Sequence, residues 1–197
     1  MACFCQLQKI TPIVFDLWME TMAAAPSLVL WLFDAQAAVA ERLRQRAAAR
    51  GVDASRLRFA EFVPDHADHL ARYAVADFAV DTFPYGSHTT AIDALWVGCP
   101  LIAWSGEGFA SRVSGSVLRA GGCPELIANS ADEYRDLILT FAQDPLRRRG
   151  QRQELLLQRT SSPLFDVAQF TRHYEALLSK IAEQGASGFP FSASPGP

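Results

Sequence analysis

Short, continuous apolar runs alternate along this chain with longer stretches of helical periodicity. Ser27-Leu-Val-Leu-Trp-Leu-Phe33 is too short for a buried helix and too uniformly apolar for a half-exposed strand, so it predicts a strand covered on both faces. Arg58-Phe-Ala-Glu-Phe-Val63, Asp77-Phe-Ala-Val-Asp81, Pro100-Leu-Ile-Ala-Trp104 and Glu125-Leu-Ile-Ala128 read as further strands. Between them lie helix patterns with recognisable ends. Thr11-Pro12 supplies a cap and a first-turn proline for a helix running toward Pro26. The Ala- and Arg-rich stretch from Gln36 to Arg50 stops at Gly51, in the position of a left-handed cap. A short helix is expected around Ala67–Ala74, another from Thr89 to Val97 closed by Gly98, and a third from Phe109 to Ala120 closed by Gly121-Gly122. From Ser130 onward the pattern is helical, broken near Pro145 and Pro163. The last helix, Asp166–Glu183, carries Leu177, Leu178 and Ile181, which read as core.

Strands of this length separated by helices imply right-handed βαβ units and an α/β fold with a parallel sheet flanked by helices. One domain over residues 1–184 is expected, followed by a disordered tail, 185–197, rich in Gly, Ser and Pro. Ligands of such sheets bind beyond the carboxyl ends of the strands, so the strand-to-helix loops are the places to search.

Composition narrows the function classes. The chain has 197 residues, half of them hydrophobic, with 18 Lys plus Arg against 21 Asp plus Glu and a formal charge of −3. This near balance provides no broad positive field and argues against a nucleic-acid binder. The run Leu28–Phe33 falls far short of the roughly 18–20 apolar residues needed to span a bilayer, so no membrane partner is expected. Met1 to Ile10 lacks a signal-peptide pattern, and a cytoplasmic location is the expectation. Cys3, Cys5, Cys99 and Cys123 form no C-x-x-C pair and read as free, packed thiols. The basic cluster Arg147-Arg-Arg149 with Arg152 reads as a solvated helix face.

The most informative stretch is Asp81-Thr-Phe-Pro-Tyr-Gly-Ser-His-Thr-Thr-Ala-Ile-Asp93. A strand ends at Asp81, a Pro/Gly turn follows, and a helix opens at His88-Thr89-Thr90. The first turn of a helix presents unpaired N–H groups and the positive end of its dipole. Gly86 permits either a close backbone approach or a positive φ, and the Thr hydroxyls add donors, which makes a phosphate-sized anion site. Asp93, one turn further on the same face, suits the hydroxyls of a ribose. The same residues also describe an ordinary capped helix with a solvated carboxylate, and residue types alone leave both readings open.

Gly86-Ser-His-Thr-Thr-Ala-Ile-Asp-Ala-Leu-Trp-Val-Gly-Cys-Pro100 resembles the protein O-GlcNAc transferase family, including its SPINDLY-like bacterial relatives. The resemblance recurs in order through Phe4-Cys-Gln-Leu-Gln-Lys-Ile-Thr-Pro12, Ser27–Leu32, Gly106-Glu-Gly-Phe-Ala-Ser-Arg-Val113, Glu125–Ala128 and Ser161-Ser-Pro-Leu-Phe165, and covers roughly residues 4–180.

That resemblance implies a Rossmann-like domain corresponding to the carboxyl-terminal half of a GT-B glycosyltransferase, which holds most of UDP-N-acetylglucosamine. Lys9 matches the family's diphosphate-contacting lysine, which helps neutralise the leaving group and is the catalytic residue implied here. Gln6 matches a neighbouring polar contact. His88, Thr89 and Thr90 match residues that meet the diphosphate, Asp93 the carboxylate that binds ribose, and His69 with Arg72 the pair that flanks uracil. Glu107 is either an assistant to the nucleotide or sugar or a plain loop residue. His66 departs from the pattern, since the animal enzymes carry a lysine there. The pair His66/His69 lacks a third metal ligand, and the resemblance implies neither cofactor nor metal.

Family members usually carry tetratricopeptide repeats and an amino-terminal catalytic domain, which supplies a catalytic-site histidine and much of the acceptor groove. Neither precedes Phe4 in this sequence. The expected function is the UDP-N-acetylglucosamine-binding half of an enzyme that glycosylates Ser or Thr hydroxyls of a protein acceptor, with an upstream domain or a repeat-containing chain as partner. The alternatives are a stand-alone or inactive UDP-sugar-binding remnant and, less in keeping with the motifs, another GT-B enzyme such as a nucleotide-sugar epimerase. A plant SPINDLY-type branch uses GDP-fucose, which leaves the donor itself open.

Overall fold

The computed structural model describes residues 1–186. Six parallel strands form one sheet: β1 (Ala2–Cys3), β2 (Leu30–Leu32), β3 (Leu57–Phe59), β4 (Ala79–Val80), β5 (Leu101–Trp104) and β6 (Ile127–Ala128). Their spatial order is β3-β2-β1-β4-β5-β6. Ala2 registers against Trp31 on one side and Ala79 on the other, so β1 lies at the centre of the sheet. The pattern of apolar runs predicts the other five strands and misses this one, because two residues carry no periodicity. Strand boundaries also move. Glu125 and Leu126 lie in a 3₁₀ turn ahead of β6. Phe62 and Val63 lie beyond the end of β3, since β2 ends at Leu32 and offers no further ladder.

Among the described residues, eight α-helices connect and cover the strands: α1 (Pro12–Ala24), α2 (Ala37–Ala49), α3 (His66–Val75), α4 (Thr89–Trp96), α5 (Phe109–Ala120), α6 (Ala131–Gln143), α7 (Pro145–Gln158) and α8 (Val167–Ala186). The expected stops hold: Gly51, Gly98 and Gly122 have φ of 75°, 74° and 80°, the left-handed region open to glycine. The last helix continues to Ala186, past the predicted start of the tail, and residues 187–197 lie outside the described residues.

The core packs α1 and α6 against the sheet through Phe15, Trp18, Met19, Met22, Leu30, Leu32, Phe78, Ile102, Ile138 and Phe141, each at most 1% exposed. One polar chain crosses it. Trp18 Nε1 donates to Tyr134 Oη at 3.0 Å, and Tyr134 Oη donates to the Asp81 carbonyl at 2.6 Å. A buried indole and phenol are thereby satisfied, and the carboxyl end of β4 is pinned where its loop begins.

Two expectations are corrected. Leu177, Leu178 and Ile181 are 54%, 47% and 55% exposed, so they are surface, not core. With Val167, Phe170 and Tyr174 they form an apolar stripe down α8, at spacings of three and four, that nothing covers among the described residues. The basic cluster is not simply a solvated face either. Arg152 donates to the carbonyls of Ala74 and Ala76 and so caps the end of α3. Arg148 donates to the Phe141 and Ala142 carbonyls near the end of α6.

Candidate functional site

Strand order reverses between β1 and β4, because β1 leads on to β2 on one side while β4 leads on to β5 on the other. The crevice beyond their carboxyl ends is where an open α/β sheet receives ligands. Residues 4–9 leave β1 there, residues 81–90 leave β4, and together with α3 they enclose a cavity of about 540 Å³. Its walls include Gln6, Lys9, His69, His88, Thr89 and Thr90, six of the residues singled out from the sequence. Arg72 and Asp93 stand outside that lining. Glu107 is exposed in the loop after β5 and does not line it either.

The turn between β4 and α4 is built around Asp81, which is 1% exposed. Its Oδ1 accepts the amides of Thr82 (2.8 Å) and Ser87 (2.7 Å) and the Ser87 hydroxyl (2.6 Å). Burial pushes the Asp81 carboxyl above the ordinary carboxylate value, against the pull of the hydroxyls and amides around it. Gly86 is needed for close approach, since its φ is not positive. A Cβ there would stand 2.8 Å from Ser114 Oγ and 2.9 Å from Asp81 Oδ2. Cys5 Sγ lies 3.0 Å from Ser87 Oγ. All four cysteines are buried thiols, as their reading from sequence holds, and Cys5 also borders the cavity.

The result is an open helix start. No side chain caps α4; His88 occupies the cap position with its Nε2 buried and without a partner among the described residues. His88, Thr89 and Thr90 line the same crevice as Lys9. Lys9 ends a 3₁₀ turn, Leu7–Lys9, and its Nζ donates to the Gly86 carbonyl at 3.2 Å while lying 4.2 Å from the centre of the Tyr85 ring. An ammonium beside uncapped amides makes a site for a polyanion. Gln6 is exposed at the rim, its Oε1 accepting from Gln8 Nε2 at 3.1 Å.

At the other end, α3 brings His69 against the aromatic edges of Phe4, Phe33 and Tyr73, with centroids 5.9, 6.2 and 5.4 Å away. Burial lowers its pKa, assisted by the charges of Arg72 and His66 and opposed by Asp93, so His69 is a neutral plate at neutral pH. Phe33, Phe62, Val63 and Pro64 complete an apolar wall suited to a flat ring. Arg72 lies one turn along the same helix with its Nη1 buried and unpartnered. Asp93 sits behind His66, whose Nε2 is 3.2 Å from Asp93 Oδ1.

Sequence reasoning missed Tyr85 and the structural role of Asp81. An aromatic between Pro84 and Gly86, three residues before the cap position His88, is a usable signal for the first. A carboxylate closing an apolar strand is one for the second. Among the described residues, no three His, Cys, Asp or Glu side chains group as metal ligands, and no helix is long and apolar enough to cross a membrane.

The sequence profile of glycosyl transferase family 41 matches residues 1–174. The UDP-N-acetylglucosamine–peptide N-acetylglucosaminyltransferase of Caenorhabditis elegans is 36% identical over 187 residues, which is 95% of this chain and 16% of that protein. A probable enzyme of the same description, SPINDLY of Petunia hybrida, is 31% identical over 189 residues, 94% of this chain and 20% of its own length. The solved structure of a mutant of Thermobaculum terrenum O-GlcNAc transferase superposes with a TM-score of 0.80 at 30% identity, covering 93% of this chain and 36% of that one. The chain thus spans about a fifth or less of these curated relatives.

Proposed function

This chain belongs to glycosyl transferase family 41, and from that footing we propose that it binds UDP-N-acetylglucosamine as the donor half of an enzyme that glycosylates Ser or Thr hydroxyls of proteins. The observation that carries this reading is the meeting of Lys9 with the uncapped start of α4 over one cavity. In the proposal, the diphosphate takes the α4 amides, the Thr89 and Thr90 side chains, His88 Nε2 and the Lys9 ammonium. The uracil lies toward His69 and the apolar wall, with Arg72 at its flank, and the ribose hydroxyls reach Asp93. Gln6 contributes a polar contact at the rim.

The chemistry that follows is leaving-group stabilisation. As the bond between sugar and diphosphate breaks, negative charge grows on UDP, and the fixed ammonium of Lys9 and the oriented amides hold that charge more tightly than they hold the ground state. These groups supply the positive charge without a metal. In the same proposal, an upstream half would cover the open side of the cavity and the apolar stripe of α8. Alignment of the acceptor hydroxyl and exclusion of water would come from there, and the chain alone is expected to bind donor far better than it transfers sugar.

Equilibrium titration of the chain with UDP-N-acetylglucosamine, UDP and GDP tests the reading. Saturable binding of both uridine compounds, tighter than GDP, is the expected result. Tighter binding of GDP would redirect the donor toward GDP-fucose. No binding by folded protein would end the proposal.

A further inference from the structure

We propose that Tyr85 is a positioning residue for the diphosphate, holding the Lys9 ammonium and the His88 imidazole in place before any ligand arrives. The inference rests on the nucleotide reading above and adds to it a residue to which neither the family resemblance nor the sequence assigns a role. Tyr85 is 47% exposed at the mouth of the cavity. Its ring lies 4.2 Å below Lys9 Nζ and 5.5 Å from the His88 ring at an interplanar angle of 16°. One aromatic side chain therefore touches both Lys9 and His88, two residues that line the cavity proposed for the polyanion.

The physical need is clear for Lys9. Its four-carbon stem is flexible and its ammonium strongly hydrated, so an unheld Lys9 would spend much of its time in solvent. A carboxylate partner would hold it but would also cancel the charge that a diphosphate needs. Among the described residues Lys9 has no such partner; it is held by the Gly86 carbonyl and the face of Tyr85 alone. A cation–π contact fixes the ammonium while leaving its full charge for an incoming anion. For His88, stacking on Tyr85 and an edge contact with Phe109 at 6.4 Å fix the ring, and with it the direction of the unpartnered Nε2. The ring does this work and the phenol hydroxyl does not, which separates Tyr85→Phe from Tyr85→Leu.

The test is calorimetric titration of the full chain and both variants with UDP and UMP, with thermal melts to verify folding. Tyr85→Phe should bind UDP within about twofold of wild type. Tyr85→Leu should bind UDP about five- to tenfold more weakly while its UMP affinity stays within about twofold, a loss in line with one partly desolvated cation–π contact. In ligand-free protein, the Lys9 ε-methylene protons should be shifted upfield by the ring in wild type and Tyr85→Phe, and relax toward solvent-exposed values in Tyr85→Leu. Unchanged UDP affinity in Tyr85→Leu, or an equal loss in Tyr85→Phe, overturns the inference while leaving the nucleotide reading intact. A wild-type chain that takes up no UDP overturns the reading itself.

Discussion

His66 Nε2 stands 3.2 Å from Asp93 Oδ1, which places an exposed imidazole across the carboxylate proposed to receive the ribose. The Asp93 side chain is 13% exposed against 67% for His66. The histidine that departs from the animal pattern is thus a neighbour of the carboxylate proposed for the ribose.

If Asp93 accepts ribose hydroxyls, wild-type protein binds UDP about tenfold more tightly than its 2′,3′-dideoxy analogue, the scale of a hydrogen bond to a charged group. Asp93→Ala should abolish that discrimination, and His66→Ala should retain it. Competition titrations with both nucleotides check this; discrimination that survives in Asp93→Ala would remove Asp93 from the ribose.

Gly86→Ala should destabilise the chain and weaken UDP together. The new methyl would meet Ser114 Oγ and Asp81 Oδ2, both in buried residues at 2.8 and 2.9 Å, and the turn must shift to admit it. Overpacking of this kind costs about 1–3 kcal/mol, and a drop in melting temperature of several degrees is the expected reading. An unchanged melt would show that the turn is looser than described.

Asp81 sets a pH dependence of definite sign. Burial raises its folded-state pKa above the unfolded value, so between the two the native state holds a proton that the unfolded state has released. Its contribution to stability is therefore greatest at low pH and falls as pH rises from about 4 through the folded pKa. Asp81→Asn, whose carbonyl oxygen can still accept the Thr82 and Ser87 donors, should remove that slope and be most favourable relative to wild type at neutral pH. Urea denaturation across the acid range tests it; a difference between the proteins that grows as pH falls would contradict the assignment.

The stripe on α8 makes a sharper distinction. Leu177→Glu with Leu178→Glu should leave the melting temperature of the chain within about 2 °C, because both side chains are exposed. Ile138→Ala, at a fully buried site on α6, should cost about 2–5 kcal/mol. A large loss in the α8 variant would mean that the stripe is covered within the chain.

These sites also show what the sequence could and could not carry. Gly51, Gly98 and the Thr11-Pro12 start are legible because a single residue type solves a local backbone problem. The start of α4 is legible for the same reason, and it draws Lys9 with it only through family motifs, since 77 residues separate Lys9 from Gly86. What joins them is β1, two residues long and recognisable only through its pairing with β2 and β4. The periodicity of α8 is plain, yet a helical stripe records that a face is apolar and not what covers it, so the pattern reads Leu177 and Leu178 as core where the structure exposes them. Arg148 and Arg152 read as solvated in the sequence because carbonyl caps leave no charge pattern there.

The central claim is that Lys9 and the start of α4 jointly grip a diphosphate, and calorimetry of wild type and Lys9→Ala with UDP and UMP tests it most directly. The account predicts that wild type prefers UDP over UMP by about tenfold or more, and that Lys9→Ala loses most of that preference through UDP alone. Equal affinities for the two nucleotides in wild type, or a preference for UDP untouched in Lys9→Ala, would contradict it.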